Sequence, residues 1–230
     1  MGHHGRMGPV ATLHALAEVA RRDHLWMGWN LTLAAVPAVL AAAVFRSRGP
    51  RGAAWWLGAG LALLFLPNAP YVLTDLVHLR GDVAAAGTDS AVVGAVLPVY
   101  AAFIAAGFVA YALAVTEFGR FLGRSGLGRW RPAAEVALHA LCAVGILLGR
   151  LARLNSWEPV TQPHSSAERI VTTLTWRGAP ATVLVLFVAT WAGFALTRGV
   201  GRALARGASA LAAWWAPPGA PGTSGRWARS

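Results

Sequence analysis

Two polar stretches interrupt apolar segments of the chain, and each brings together side chains suited to proton transfer, metal binding or anion binding. The first runs from Leu66 through Pro67, Asn68, Pro70, Tyr71, Thr74, Asp75 and His78 to Leu79. The second runs from Gly149 through Arg150, Arg153, Asn155, Ser156, Trp157, Glu158 and Pro159 to His164. Asp75 or Glu158 could serve as a general base with His78 as its partner, because a carboxylate and an imidazole within reach can pass a proton. Arg150 and Arg153 suit an anion, since a guanidinium matches phosphate oxygens through paired hydrogen bonds. Asn68, Tyr71, Asn155 and Trp157 would complete the binding surface around them. Asp75, His78, Asp82, Glu158 and His164 are also ligand types for Zn²⁺ or another divalent ion, although their spacing follows no metal signature. The metal and any cofactor are left unassigned.

Each of these residues has a structural reading as well. Asp75 paired with Arg150 or Arg153 would be a buried ion pair that fixes helix register. Asn68 and Asn155 are types that cap or tie irregular backbone, and Asn30, Thr116 and Glu117 are read as structural. No Gly-x-Ser-x-Gly elbow, His-Glu-x-x-His pair or phosphate-cradling glycine loop is present to force an enzymatic reading.

The elements that must position these residues follow from composition. Of 230 residues, 56% are hydrophobic and only 13% are charged, about half the charged share of a soluble domain. Apolar runs long enough to cross a hydrocarbon core about 30 Å thick recur along the chain. The spacing predicts an all-α, polytopic transmembrane bundle of five spanning helices, at 26–45, 53–70, 91–116, 133–153 and 180–196. Residues 1–24 form an N-terminal surface segment with a helix at 9–22, too short and polar to span. Residues 25–198 form the membrane domain, and 199–230 a tail that is basic and amphipathic at first and disordered from Pro217 onward. A further short surface helix is expected after Ser165, which with Glu168 makes a capping-box pattern. Cys142 is the only cysteine, so no internal disulfide forms.

Within these helices the polar residues fall on faces. If helix resumes at Pro70, then Tyr71, Asp75, His78 and Asp82 form one polar stripe at about 100° per residue. Glu135, His139, Cys142, Gly149, Arg150 and Arg153 share a face of the fourth span by the same rule. Ionisable groups inside a span usually face the bundle interior or a wet cavity, so Arg150 and Arg153 are expected to face Asp75 and His78 across a shared outer vestibule. In the third span, Ala102, Ala106, Gly107 and Ala110 form a small-residue stripe for helix packing.

The net charge of +11 comes wholly from arginine, and it lies in loops and near the C-terminus. That is the pattern of the positive-inside rule rather than of nucleic-acid binding. It places the N-terminus outside, the C-terminus inside, and both polar stretches at the outer face of a cell membrane. The lipid bilayer is the expected partner, with a lipid headgroup or other anionic ligand at the vestibule and an oligomer or membrane partner in addition.

The run from Leu66 to Leu79 resembles the signature of an uncharacterised bacterial integral-membrane family, domain-of-unknown-function family 1361. The run from Gly149 to Pro159 resembles that family's second motif, in which Asp stands at the place of Glu158. The resemblance covers roughly residues 25–200 and implies a multi-pass membrane protein without implying an activity. A vestibule that binds or processes a lipid headgroup or lipid-linked anion is the leading functional reading. A non-catalytic subunit or scaffold and a small transporter are the alternatives.

Overall fold

The computed structural model describes residues 9–86 and 89–215. Helix α1 spans Pro9–Phe45, α2 Ala53–Phe65, α3 Asn68–Tyr71, α4 Leu76–Ala86, α5 Asp89–Ala91, α6 Leu97–Arg124, α7 Arg131–Leu151, α8 Glu158–Thr161, α9 Pro163–Thr175 and α10 Ala179–Trp215. Among the described residues there is no strand, and five helices are long and apolar enough to cross a membrane. These are Leu25–Phe45, Ala53–Ala86, Val92–Arg124, Gly128–Leu151 and Ala179–Ala212. The protein is a multi-pass membrane protein, as its hydropathy implies.

Several boundaries differ from the sequence reading, each for a physical reason. The segment at 9–22 is not a separate surface helix but the first turns of α1, because no proline or glycine lies between Arg22 and Trp26 to end it. The fifth span likewise continues past Leu196 as one helix to Trp215. At about 1.5 Å per residue its 37 residues reach roughly 55 Å, far beyond the hydrocarbon thickness. The fourth span ends at Leu151, before Arg153. The residues from Pro217 onward, expected to be disordered, lie outside the described residues.

α2 ends at Phe65 because Pro67 supplies no backbone donor for the turn before it. Helix resumes at once, at Asn68 rather than Pro70. It then tightens into a 3₁₀ turn over Val72–Asp75 before relaxing into α4. That turn breaks the predicted stripe, since a 3₁₀ segment advances about 120° per residue instead of 100°. Asp75 and Asp82 are buried and His78 is exposed.

The core is built where α1 packs against α6 and α2, with α7 resting on α10 and α6. Ala34, Ala41, Phe45, Ala62, Leu66, Phe103, Phe108, Tyr111 and Val115 are among its buried residues. The stripe of Ala102 and Ala106 is exposed, so it is not the packing face. Gly107, one position further round, makes the close approach instead: a Cβ there would lie 2.4 Å from Val72 Cγ2 and 2.7 Å from the Ala69 carbonyl oxygen. Gly145 and Gly149 do the same for α7 against α3. A Cβ on Gly145 would meet Pro67 Cγ at 2.4 Å, and one on Gly149 would meet Tyr71 Cε2 at 3.0 Å. Bare backbone at these positions lets helices touch where lipid supplies no hydrophobic drive to push them together.

The predicted capping box is not formed. α9 begins at Pro163 with Gln162 as its N-cap residue, so Ser165 sits inside the first turn and its hydroxyl donates to the Gln162 carbonyl at 3.3 Å. Proline at the first helical position costs nothing there, because that N–H would be unpaired anyway.

Candidate functional site

The two polar stretches meet. Asn68 Nδ2 donates to Ser156 Oγ at 2.8 Å and to the Phe65 carbonyl at 3.0 Å. One side chain therefore ties the second motif to the first and satisfies a carbonyl freed by the break at Pro67. Beside this tie lies a cavity of about 470 Å³ whose lining includes Trp29, Asn30, Asn68, Tyr71, Arg153, Asn155, Ser156 and Trp157. That volume lies in the usual range for a small-ligand site, about 300–1,000 Å³.

Of the residues singled out from sequence, Asn68, Tyr71, Arg153, Asn155 and Trp157 line this cavity, whereas Asp75, His78, Arg150 and Glu158 do not. Asp75 is 3% exposed and accepts a hydrogen bond from Asn30 Nδ2 at 2.8 Å, so it stands behind the wall. Asn30 is the link, and sequence reasoning assigned it only a structural part. The signal was an amide in the middle of an apolar run, with nothing local to pair it. Asp82 is held apart from Asp75, accepting from the Tyr100 hydroxyl at 2.6 Å. His78 is exposed with its ring against Trp26, centroids 4.9 Å apart.

Glu158 is a fastener. It accepts from the Asn155 backbone N–H at 2.9 Å and lies 3.5 Å from Arg169 Nη1. Arg169 in turn donates to the carbonyls of Ala152 and Arg153, the latter at 2.8 Å. Together Glu158 and Arg169 fold the chain beyond α7 back on itself. Arg153 sits in that fold at φ 51, the only non-glycine residue with positive φ among those described. A non-glycine residue in this region costs about 1 kcal/mol or more. The conformation carries its side chain off the helical face shared by Glu135, His139 and Cys142, which corrects the expectation that Arg150 and Arg153 project together. Among the described residues, the Arg153 guanidinium has no hydrogen bond or ion pair.

The other polar groups of the fourth span have separate duties. His139 Nδ1 and the Tyr111 hydroxyl are 2.7 Å apart in a buried pair, with the Phe194 ring 5.0 Å from the imidazole. Glu135 pairs with Arg131 at 3.1 Å and with Arg198 at 3.3 Å. No three of the described His, Cys, Asp or Glu residues gather as a metal site.

At the opposite end of the bundle Glu117 is buried and accepts from Arg46 at 2.8 Å and Arg120 at 2.7 Å. Arg124 donates to the Phe45 carbonyl, and Arg51 to Ser125 Oγ at 2.8 Å. The Glu117 carboxylate holds the Arg46 guanidinium above its ordinary range, keeping it charged.

No curated protein and no solved structure matches the chain. A family model described as "Protein of unknown function (DUF1361)" matches residues 29–192, a stretch that holds the cavity, both polar motifs and the Asn30–Asp75 pair. The chain belongs to that family.

Proposed function

We propose that the protein binds an anionic group, a lipid headgroup or lipid-linked anion, in the cavity between α1, α3 and α7. The observation that carries this reading is Arg153: a guanidinium lining a cavity, unpaired, on a backbone held at positive φ. Strained backbone persists where surrounding structure over-determines it, commonly at ligand clamps. The Tyr71 hydroxyl and the second N–H of the Asn155 amide offer donors beside it for the remaining oxygens of an anion, while both N–H groups of Asn68 are engaged with Ser156 and the Phe65 carbonyl.

Binding is favoured over processing because the carboxylates are already engaged. Asp75 is bonded to Asn30 and Glu158 to Asn155 and Arg169, so neither is aimed into the cavity as a base. The arginine-rich end is read as cytoplasmic because loops rich in Arg are retained there, which sets the cavity at the outer face of the cell membrane.

Thermal unfolding of the purified full chain in mixed micelles tests this reading. Micelles containing phosphatidylglycerol should raise Tm above that in phosphatidylcholine, since a ligand that binds only the folded state stabilises it. Arg153→Ala should remove the difference. Equal Tm in both lipids for the unmodified chain would overturn the proposal.

A further inference from the structure

The cavity is graded along its depth, and the same gradient appears on each of its three walls. On α1 the lining passes from Leu33 to Asn30, from α2 to α3 it passes from Leu63 to Asn68, and from α7 onward it passes from Leu141 to Arg153. In every case the polar member lies toward the end of the bundle and the apolar member toward its middle. On α7 the apolar lining runs from Leu141 through Val144 to Leu148, so the apolar part extends about 10 Å into the bundle at about 1.5 Å per residue.

The two apolar walls do not close on each other. α7 packs along α10, α6 and α3, and α2 packs along α1, while α2 and α7 make no substantial packing contact. Near the polar end they are bridged where Gly145 and Gly149 receive Pro67 and Tyr71 of the α3 region. Leu141 shows what this leaves open. It lines the cavity and is still 41% exposed, at a level of the helix that lies within the spanning stretch Gly128–Leu151.

Resting on the anion-binding reading of the same site, we infer that the ligand is a whole amphiphile, a lipid with a phosphate headgroup. It enters sideways between α2 and α7, with one hydrocarbon chain against Leu63 and Leu141 and its phosphate at Arg153. A water-soluble anion arriving from the end of the bundle would use the polar rim and leave the leucine walls facing water, which is unfavourable by about 25 cal/mol per Å² of apolar surface. A chain fills that space as lipid does elsewhere on the protein. The chain supplies fit and a route of entry, because moving from bilayer to groove changes its solvent little. The phosphate supplies the anchor.

Native mass spectrometry of the full chain in detergent, with three single probes, tests the inference. The probes are a long-chain lysophosphatidic acid, the matching lysophosphatidylcholine, and glycerol 3-phosphate. The acid should give a one-to-one adduct. Lysophosphatidylcholine should bind at least about tenfold more weakly because its choline offsets the phosphate charge, and glycerol 3-phosphate at least about tenfold more weakly because it leaves the leucine walls uncovered. Leu141→Trp places an indole across the gap at an exposed position. It should weaken the lysophosphatidic acid adduct about tenfold while leaving Tm in detergent alone unchanged.

If glycerol 3-phosphate binds as tightly as the lipid and Leu141→Trp alters neither, lateral entry is wrong and anion binding stands. If the acid and glycerol 3-phosphate both fail to bind, or Arg153→Ala leaves the acid's adduct intact, the anion reading falls and this inference with it. Should Leu141→Trp lower Tm, Leu141→Phe carries the same comparison with a smaller ring.

Discussion

The two ends of this bundle use arginine in opposite ways. At one end Glu117 is buried between Arg46 and Arg120, Arg124 covers the last carbonyl of α1, and Arg51 reaches Ser125. Each of these guanidinium groups has a partner in the chain, and together they tie α1 and the loop after it to α6. At the other end Arg169 closes the turn beyond α7, yet Arg153 is held at positive φ with its guanidinium beside a cavity and no partner among the described residues. The same side chain therefore serves as a structural tie where a carboxylate or carbonyl meets it, and is left unpaired beside a cavity where the backbone turns it away from such partners. Charge alone does not distinguish the two. What differs is whether the fold supplies the counter-group.

That contrast can be broken most forcefully at the closed end. Glu117→Ala removes two charge-assisted hydrogen bonds and should cost about 2–3 kcal/mol of stability, read as a fall in Tm, with binding at the far cavity unchanged. A parallel loss of lipid binding would mean that the two ends are not independent.

A smaller effect is expected at the junction of the two motifs. Ser156→Ala should lower stability by about 1 kcal/mol, and Asn68→Ala, which also strips the Phe65 carbonyl of its donor, by about 2 kcal/mol. The double variant should fall short of the sum, because the Asn68–Ser156 hydrogen bond is lost in both single variants. Additive losses would show that the 2.8 Å contact contributes nothing to the tie.

The smallest change carries the sharpest sign. Arg153→Gly relieves the positive φ and should raise stability by about 1 kcal/mol, at the same time abolishing the phosphatidylglycerol-dependent rise in Tm. A site selected for structure alone would give no such opposition between stability and binding. Loss of stability in this variant would indicate that the arginine is there to hold the fold.

Much of this was legible beforehand because it depends on local chemistry. The break after α2 follows from Pro67, and the spans follow from runs of apolar residues that need no tertiary partner to declare themselves. Asn68, Tyr71, Arg153, Asn155 and Trp157, which line one cavity, stand out because polar side chains in such runs require a reason. The errors have a common source. Ala102 and Ala106 formed a convincing stripe, but Gly107 won the interface, since closeness of approach depends on what the neighbour presents, here Val72 and the Ala69 carbonyl. The stripe through Asp75, His78 and Asp82 assumed one helical pitch, and a single 3₁₀ turn separated its members. Arg153 was counted as helical, although Glu158 and Arg169 had already turned the chain.

The amino-acid sequence by itself determined that this chain lives in lipid, roughly where it crosses, and which two stretches are polar without local cause. Those are properties of solvent preference and of residues near one another along the chain. Only the tertiary structure decided which polar groups became frame and which were left unpaired at a cavity. Asp75 is taken by Asn30 from 45 positions away and Asn68 reaches Ser156 across 88. A hydrogen bond spanning that distance exists only once helices α1, α3 and α7 have come together.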